Sequence, residues 1–319
     1  MSYRTLCTLV VIGALGLGVL AGCSDDAPES SATAATSAES TSGDALVVVA
    51  SFYPLQWMAE EVGGELLDVS GLTPPGAEPH DLELTPTDVA AVADADVVVF
   101  LSGIQPAVDD AIDGARGAVF DAAGSADLSL TFTPIEEGVE ATDEAGAVDP
   151  HFWLDPLRLA DAADALAATM SEIDAPNAEH YAANAAELRQ DLETLDDEYS
   201  AGLADCADKN LVTSHNAFGY LAQRYGMVQL GIAGLTPEEE PSPSDIAAVA
   251  DFVEANDVHT IYFETLVSPA IAETIAAETG ADTAVLDPIE GLSEGSEGSD
   301  FLEVMRSNLS NLRRGQSCT

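Results

Sequence analysis

Histidine is scarce in this chain of 319 residues, which contains five copies of it. Three of them, and one aspartate, stand where a predicted strand ends or in a loop that precedes a predicted helix: His80, His151, His215 and Asp287. Side chains at the carboxyl ends of parallel strands face the crevice in which open α/β sheets bind ligands. We therefore expect these four groups, two from each half of the chain, to converge on one site.

Three imidazoles and one carboxylate suit Zn²⁺, which prefers nitrogen, sulfur or oxygen ligands arranged as a tetrahedron. An all-oxygen set would instead have indicated Ca²⁺ or Mg²⁺. Taken singly, each residue could equally be a turn residue or a helix cap. Nearby carboxylates could orient the imidazole rings by accepting their N–H groups, and the candidates are Asp81, Glu83, Asp149 and Asp155. His180 and His259 are placed differently, and we expect them to have solvent or packing roles.

Continuous apolar runs rich in β-branched residues predict buried strands in both halves of the chain. They cover residues 45–52, 66–73, 96–103, 210–215, 227–235, 259–266 and 282–288. Helical patterns alternate with these runs; Thr85, Pro86 and Asp88, for example, are typical of a helix start. The alternation predicts an α/β protein with two Rossmann-like lobes and mostly parallel sheets.

Residues 175–206 connect the two predicted lobes. Their apolar residues recur at spacings of three and four, which is typical of an amphipathic helix. Because a helical linker is stiffer than a coil, we expect the lobes to move little relative to each other. We expect the metal site in the cleft between the lobes, where the strand carboxyl ends meet. The predicted domains are therefore a first lobe at 45–174, a linker helix at 175–206 and a second lobe at 207–319.

The amino terminus has the features of an export signal. Residues 1–22 combine Arg4 with a short apolar run, and the sequence LAGC ends at Cys23. That ending matches the bacterial lipoprotein signal and predicts a lipid on Cys23, although an ordinary secretory signal is the alternative. Residues 23–44 have almost no large apolar side chains, so they are predicted to be a flexible tether.

The chain is strongly acidic, with 57 acidic and 9 basic residues and a formal net charge of −48. Such a surface repels nucleic acid and other anions, so nucleic-acid partners are excluded. Solubility in a saline exterior explains the acidity better than a functional role does. Two cysteines remain once Cys7 and Cys23 are set aside, and in an exported protein Cys206 and Cys318 predict a disulfide. A metal pair is the alternative, but it lacks the close C-x-x-C spacing of zinc thiolates.

Several segments, read in order, resemble the motifs of the zinc/manganese solute-binding lipoproteins of bacterial ABC transporters. They are ASFYPLQWMAEEVGG, PPGAEPHDLELTPTD, DPHFWLDP, TSHNAFGYLAQRYG, and IYFETLVSP followed by LDP. The resemblance covers roughly residues 45 to 314 and implies two α/β lobes that are joined by a rigid helix and hold a metal ion between them. The family's ligand positions fall on His80, His151, His215 and Asp287.

The resemblance implies a receptor and not an enzyme: a monomer, lipid-anchored outside the cytoplasmic membrane, that delivers Zn²⁺ to a membrane permease. Manganese-type members typically have glutamate at the position of His215, so histidine favours zinc over Mn²⁺. Glu264 lies in a family-typical segment and is interpreted as structural or as an orienting carboxylate. The chain departs from many zinc members because its predicted loop at 132–149 is acidic and contains no histidine.

Three alternative functions stay open at this point. A manganese or iron receptor could use the same fold. A surface adhesin is a second alternative, although no sequence repeat or large aromatic patch favours it. A zinc hydrolase is the third, but the chain has no HExxH or G-x-S-x-G motif. A fourth protein ligand would also close the position that catalytic zinc keeps open for water.

Overall fold

The computed structural model describes residues 45–133, 146–237 and 240–319. The export signal, Cys23, the tether and most of the acidic loop at 132–149 lie outside these residues. In the part of the chain that is described, no helix has the length and apolar character needed to cross a membrane.

The first lobe contains a parallel sheet of four strands within the described residues. Its strands are β1 (Leu46–Ala50), β2 (Leu67–Gly71), β3 (Val97–Phe100) and β4 (Ala118–Asp121), in the order β2-β1-β3-β4. The helices of this lobe are α1 (Tyr53–Gly63), α2 (Pro86–Asp94), α3 (Pro106–Ile112) and α4 (Pro156–Ile173). Short 3-10 turns cover Gly64–Leu66, Ala122–Gly124 and Phe152–Leu154.

The second lobe repeats this plan, again with four parallel strands in its described part. Its strands are β5 (Asn210–Thr213), β6 (Val228–Gly231), β7 (Thr260–Phe263) and β8 (Asp282–Val285), in the order β6-β5-β7-β8. Helix α5 (Ala178–Leu203) connects the lobes, and the helices of the second lobe are α6 (Gly219–Tyr225), α7 (Pro243–Ala255), α8 (Ala270–Thr279) and α9 (Phe301–Gly315). The predicted class, two α/β lobes with parallel sheets, is confirmed.

Local sequence signals explain where several elements begin. Helix α2 starts with a capping box in which Thr85 accepts from the Asp88 backbone while the Asp88 side chain accepts from Thr85. Ser242 and Asp245 form the same arrangement at the start of α7. Strand β4 was not among the predicted strands, because it is a short edge strand in which Val119 is 41% exposed. Its apolar pattern is therefore weak.

The linker is helix α5, which has 26 residues and follows a 3-10 turn at Ala175–Asn177. One of its faces is buried in the largest apolar core, which also contains residues of both lobes. Tyr199 of α5 donates to the backbone oxygen of Met305 in α9 at 2.6 Å. Across the lobes, the rings of Trp57 in α1 and Phe301 in α9 stack with centroids 4.7 Å apart. Apolar side chains of both lobes thus pack in one continuous core.

A buried ion network ties the lobes together beside the linker. Asp155, at the amino terminus of α4, pairs with Arg158 of the same helix at 3.2 Å and with Arg224 of α6 in the second lobe. Arg224 also lies 3.9 Å from Asp196 of the linker helix, and Tyr225 donates to Asp196 at 2.9 Å. Asp155 is 3% exposed and Arg224 reaches it from the second lobe. Separating the lobes would break this pair and weaken the compensation of a buried carboxylate, so the network resists separation.

Cys206 and Cys318 form a disulfide that closes 112 residues of sequence separation, as predicted. It ties the segment after α5 to the chain end after α9, where Cys318 pairs with Cys206 in an isolated antiparallel bridge. Closing a long loop stabilises the fold mainly by restricting the unfolded chain. The bond therefore stabilises the second lobe at its strand amino ends, far along the sheet from the ligand-bearing loops.

We expect the shared core and ion network to keep the lobes close together with and without metal. Small-angle X-ray scattering of the metal-free and zinc-loaded protein should give radii of gyration that agree within experimental error. A clear increase in the radius of the metal-free form would show a hinge opening that this core does not permit.

We expect the double variant Cys206→Ala/Cys318→Ala to lose about 2–4 kcal/mol of unfolding free energy, because its unfolded chain is no longer cross-linked. Urea denaturation measures this loss, and zinc affinity should be unchanged. Reduction of the wild-type protein should reproduce the loss, while the double variant should be insensitive to reductant. Equal stability of the two proteins would show that the cross-link contributes nothing.

Candidate metal centre

Each imidazole of the predicted set is carried by a loop at the carboxyl edge of a sheet or at a helix start. His80 lies between β2 and α2, and His151 directly precedes the 3-10 turn Phe152–Leu154. His215 follows β5 by two residues, in the short loop before α6. In the structure these three side chains converge with Glu290, which lies in the loop between β8 and α9.

The four donor atoms lie close enough together to bind one metal ion. The Nε2 atoms of His80, His151 and His215 lie 3.4, 3.2 and 3.3 Å from Oε1 of Glu290. All four ligand atoms lie within 4.8 Å of one another. A tetrahedral zinc site with bonds of about 2.0–2.1 Å has ligand-to-ligand edges of about 3.3–3.4 Å. The measured distances to Glu290 match those edges.

These donor atoms are buried without hydrogen-bond partners. The three Nε2 atoms and both carboxylate oxygens of Glu290 make no hydrogen bond, and Glu290 is fully buried. Buried polar atoms without partners are destabilising and rare in folded proteins, so a group of them needs an explanation. A divalent cation between them would satisfy the three Nε2 atoms and Oε1 of Glu290 together. Three nitrogens and one oxygen are a donor set that suits zinc.

Two of the rings are oriented by carboxylates at their other nitrogen. Nδ1 of His151 lies 2.8 Å from Asp149, and Nδ1 of His215 lies 2.9 Å from Glu264. Each carboxylate favours the tautomer with hydrogen on Nδ1, which leaves the Nε2 lone pair free for a metal. The structure thus places Asp149 and Glu264 in the orienting positions that the sequence analysis considered for them.

The other predicted orienting carboxylates lie elsewhere. Asp155 caps α4 by accepting from the backbone of Leu157 and Arg158, and it belongs to the ion network between the lobes. Asp81 and Glu83 are exposed residues of the loop that follows His80. His80 has the most exposed of the four ligand side chains, at 6% against 1% or less for the others. Solvent therefore reaches the cluster most easily on the His80 side.

Asp287 is not brought into the cluster, and Glu290 stands in the place that the sequence analysis expected Asp287 to take. Both Asp287 oxygens are occupied: Oδ1 accepts from the backbone of Ile289 at 2.8 Å, and Oδ2 accepts from Thr265 and Ser296 at 3.0 and 2.9 Å. Glu290 was not among the ligands predicted from the sequence, although LDPIEG places a second carboxylate three residues further along the same loop. Which of the two carboxylates enters the cluster depends on the backbone turn at Ile289, and the sequence alone does not reveal that turn.

The pocket holds opposite charges in close contact. Burial alone would lower the pKa of His215, but the carboxylates of Glu264 and Glu290 raise it well above its usual value. Asp149 and Glu290 likewise overcome the burial of His151 and raise its pKa. Burial would raise the pKa of Glu290, yet the histidines hold that pKa well below its usual range. Protons on His151 and His215 therefore balance the buried carboxylate when no metal does.

Comparison with known proteins places these features in a family. Residues 48–315 match the family model described as zinc-uptake complex component A, periplasmic. The high-affinity zinc uptake system protein ZnuA of Bacillus subtilis is 33% identical over 320 residues, which cover 96% of each chain. The zinc-binding lipoprotein AdcA of Streptococcus pneumoniae strain R6 is 34% identical over 84% of this chain, which spans only 55% of that protein.

Solved structures show the same architecture. The laminin-binding protein Lmb of Streptococcus agalactiae, described as bifunctional with adhesin and metal-transporting activity, superposes with a TM-score of 0.74. It is 35% identical in sequence, and the match covers 85% of this chain and 99% of Lmb. At that identity and coverage the two-lobed arrangement is shared along almost the whole folded region.

We expect the affinity of this cluster for Zn²⁺ to fall as the pH is lowered, because the metal must displace protons from the imidazoles. Since the pKa values of His151 and His215 are raised, the decline should begin above the pH of about 6.5 at which a free imidazole titrates. Each displaced proton should weaken binding by about tenfold per pH unit. Calorimetric titration with Zn²⁺ between pH 8.5 and 6, in buffers of different ionisation enthalpy, measures both the affinity and the protons released. A constant affinity without proton release would contradict the site.

Proposed function

The chain belongs to the ZnuA family of periplasmic zinc-uptake components, and on that premise we propose that it is an extracytoplasmic receptor that captures Zn²⁺ for an ABC transporter permease. The single observation that carries the proposal is a group of four buried donor atoms without hydrogen-bond partners, in which the three nitrogens lie 3.2–3.4 Å from the carboxylate oxygen. That distance matches the edge of a tetrahedral zinc site. The zinc ion is the cargo of this receptor. The family match and the geometry support the same cargo independently.

We propose that His80, His151, His215 and Glu290 bind the ion directly, with Asp149 and Glu264 orienting two of the rings. The three Nε2 atoms face Glu290 at 3.2–3.4 Å, and all three lack other partners. Each lobe contributes two ligands, so a bound ion cross-links the lobes. Such a site favours the closed arrangement in which all four loops are already in place.

The donor set favours zinc over manganese. Three imidazoles and one carboxylate are nitrogen-rich, whereas Mn²⁺ is typically held by carboxylate, carbonyl and water oxygens in octahedral geometry. The ordering of divalent metals also gives Zn²⁺ the higher affinity at a nitrogen site. The burial of Glu290 and two of the histidines leaves little room for the extra ligands that manganese or iron(II) would need.

The receptor binds its cargo without changing it. A catalytic zinc keeps one position for water or substrate, whereas Glu290 supplies a fourth protein ligand in this cluster. That ligand is fully buried, so a substrate would have to displace it to reach the metal. The geometry therefore favours capture and release over hydrolysis.

We further propose that a lipid on Cys23 anchors the protein outside the cytoplasmic membrane, and that it acts as a monomer tethered by residues 23–44. The sequence LAGC and the name of the lipoprotein relative support the anchor. Metabolic labelling with a fatty acid, compared between the full-length protein and Cys23→Ala, tests the anchor.

Replacing one imidazole should abolish tight zinc binding without unfolding the protein. Loss of a residue that orients a metal ligand typically weakens metal binding about 10–100-fold. Because His215 is proposed to bind the ion directly, we expect His215→Ala to weaken Zn²⁺ binding by more than that. Competition with a chromophoric chelator measures the affinity, and circular dichroism checks the fold. His259→Ala is the matched control, because His259 is an exposed histidine directly before β7 in the same lobe.

The control variant should bind zinc like the wild type, with one ion per chain. If His215→Ala also binds one ion with unchanged affinity, the ligand assignment fails. In cells, a strain that lacks the protein should grow poorly when zinc is chelated, and the wild-type gene should restore growth while the His215→Ala gene should not. Restoration by both genes would separate the cluster from zinc uptake.

A further inference from the structure

We infer that Asp287 is a positioning residue: it holds the loop that presents Glu290 and couples this loop to the one that orients His215. The inference rests on the proposed function, because it concerns how the zinc ligands are kept in place. Asp287 is 1% exposed, and it lies three residues before Glu290 on the loop that follows β8. It is the only residue of the predicted ligand set that faces away from the cluster.

The chain between Asp287 and Glu290 has an unusual backbone conformation. Ile289 has a φ of 58°, in the left-handed region that β-branched residues rarely adopt. Such a residue persists only where its surroundings enforce the conformation, and these residues gather at functional sites. Oδ1 of Asp287 accepts the backbone N–H of Ile289 at 2.8 Å, which closes a turn around Pro288. This turn directs the chain so that Glu290 enters the pocket.

The second carboxylate oxygen of Asp287, Oδ2, accepts from two hydroxyl groups. Oδ2 of Asp287 accepts from the hydroxyl of Ser296, further along the same loop, at 2.9 Å. It also accepts from the hydroxyl of Thr265 at 3.0 Å. Thr265 directly follows Glu264, whose carboxylate meets Nδ1 of His215 at 2.9 Å. One buried carboxylate therefore connects the loop that bears Glu290 with the loop that orients His215.

Side chains from both lobes form hydrogen bonds with the backbone around Asp287. Asn308 of α9 accepts from the backbone N–H of Asp287 at 2.9 Å and donates to its carbonyl oxygen at 2.7 Å. From the first lobe, the indole N–H of Trp153 donates to the carbonyl oxygen of Pro288 at 2.8 Å. The ring of Trp153 lies 5.2 Å from that of His151, centroid to centroid. The start of the loop is thus held by Asn308 and Trp153, and the Asp287 side chain sets the turn that leads to Glu290.

A direct ligand and a positioning residue respond differently to conservative replacement. In Asp287→Asn the side-chain oxygen can still accept from Ile289, and the new amide can donate to the hydroxyl oxygens of Thr265 and Ser296. Asparagine is a poor zinc ligand, so it would not rescue a coordinating aspartate. Alanine removes every contact in either case. The pair of variants therefore separates the two roles.

The experiment measures Zn²⁺ affinity by chelator competition for the wild type, Asp287→Asn, Asp287→Ala, Glu290→Gln and the double variant Asp287→Ala/Glu290→Gln. We expect Asp287→Ala to bind about 10–100-fold more weakly, the range typical of residues that hold metal ligands in place, and Asp287→Asn to stay close to the wild type. The double variant should bind no more weakly than Glu290→Gln alone, because residues that act through one another are not additive. Asp282→Ala, at an exposed position at the start of β8, is the matched control.

Cobalt(II) absorption supplies a readout that a purely structural role would not move. The Co²⁺ spectrum of Asp287→Ala should lose tetrahedral intensity as that of Glu290→Gln does, while thermal unfolding without metal reports any general loss of stability. Unfolding at a lower temperature with unchanged affinity and an unchanged spectrum would overturn the inference. So would additive losses in the double variant, or a loss in Asp287→Asn equal to that in Glu290→Gln. If the wild type itself binds no zinc, or His215→Ala binds as tightly, the proposed function fails instead.

Discussion

The structure depends on one electrostatic constraint: three imidazole nitrogens from separate loops face one buried carboxylate oxygen at 3.2–3.4 Å. No hydrogen bond within the described residues compensates these atoms. In such a pocket only positive charge at the centre, supplied by protons or by a cation, relieves the unfavourable burial of Glu290. The raised pKa of His215 and the lowered pKa of Glu290 are two consequences of that constraint. Metal capture exchanges the protons for a doubly charged ion in the same position.

A binding site shared by two lobes requires the lobes to be held near the right separation before the ion arrives. The shared apolar core, the stacked rings of Trp57 and Phe301, and the ion pair between Asp155 and Arg224 meet that requirement. Preorganisation of this kind reduces the ordering that binding must pay for. It also limits geometric adaptation, so a metal that prefers six oxygen ligands gains little from the site. Selectivity and rigidity therefore have the same structural origin.

Much of the fold follows from patterns that the sequence states directly. The central strands β1 and β3 are valine-rich runs, LVVVA and VVVF. The capping box of Thr85 and Asp88 marks the start of α2. The weak edge strand β4 escaped prediction because exposed Val119 gives it little apolar periodicity. The three histidines could be predicted because strand ends converge in parallel sheets. Glu290 could not, since the choice between it and Asp287 depends on the left-handed backbone of Ile289 and on hydroxyls from Thr265 and Ser296.

The coordination sphere of the bound ion tests this account most directly. X-ray absorption at the zinc edge, on protein loaded with one equivalent of Zn²⁺, counts the ligands and recognises imidazole by its outer-shell scattering. The account requires four nitrogen or oxygen neighbours at about 2.0–2.1 Å, three of them imidazoles. A six-coordinate ion, or one with fewer than three imidazoles, would show that the buried cluster is not where zinc binds.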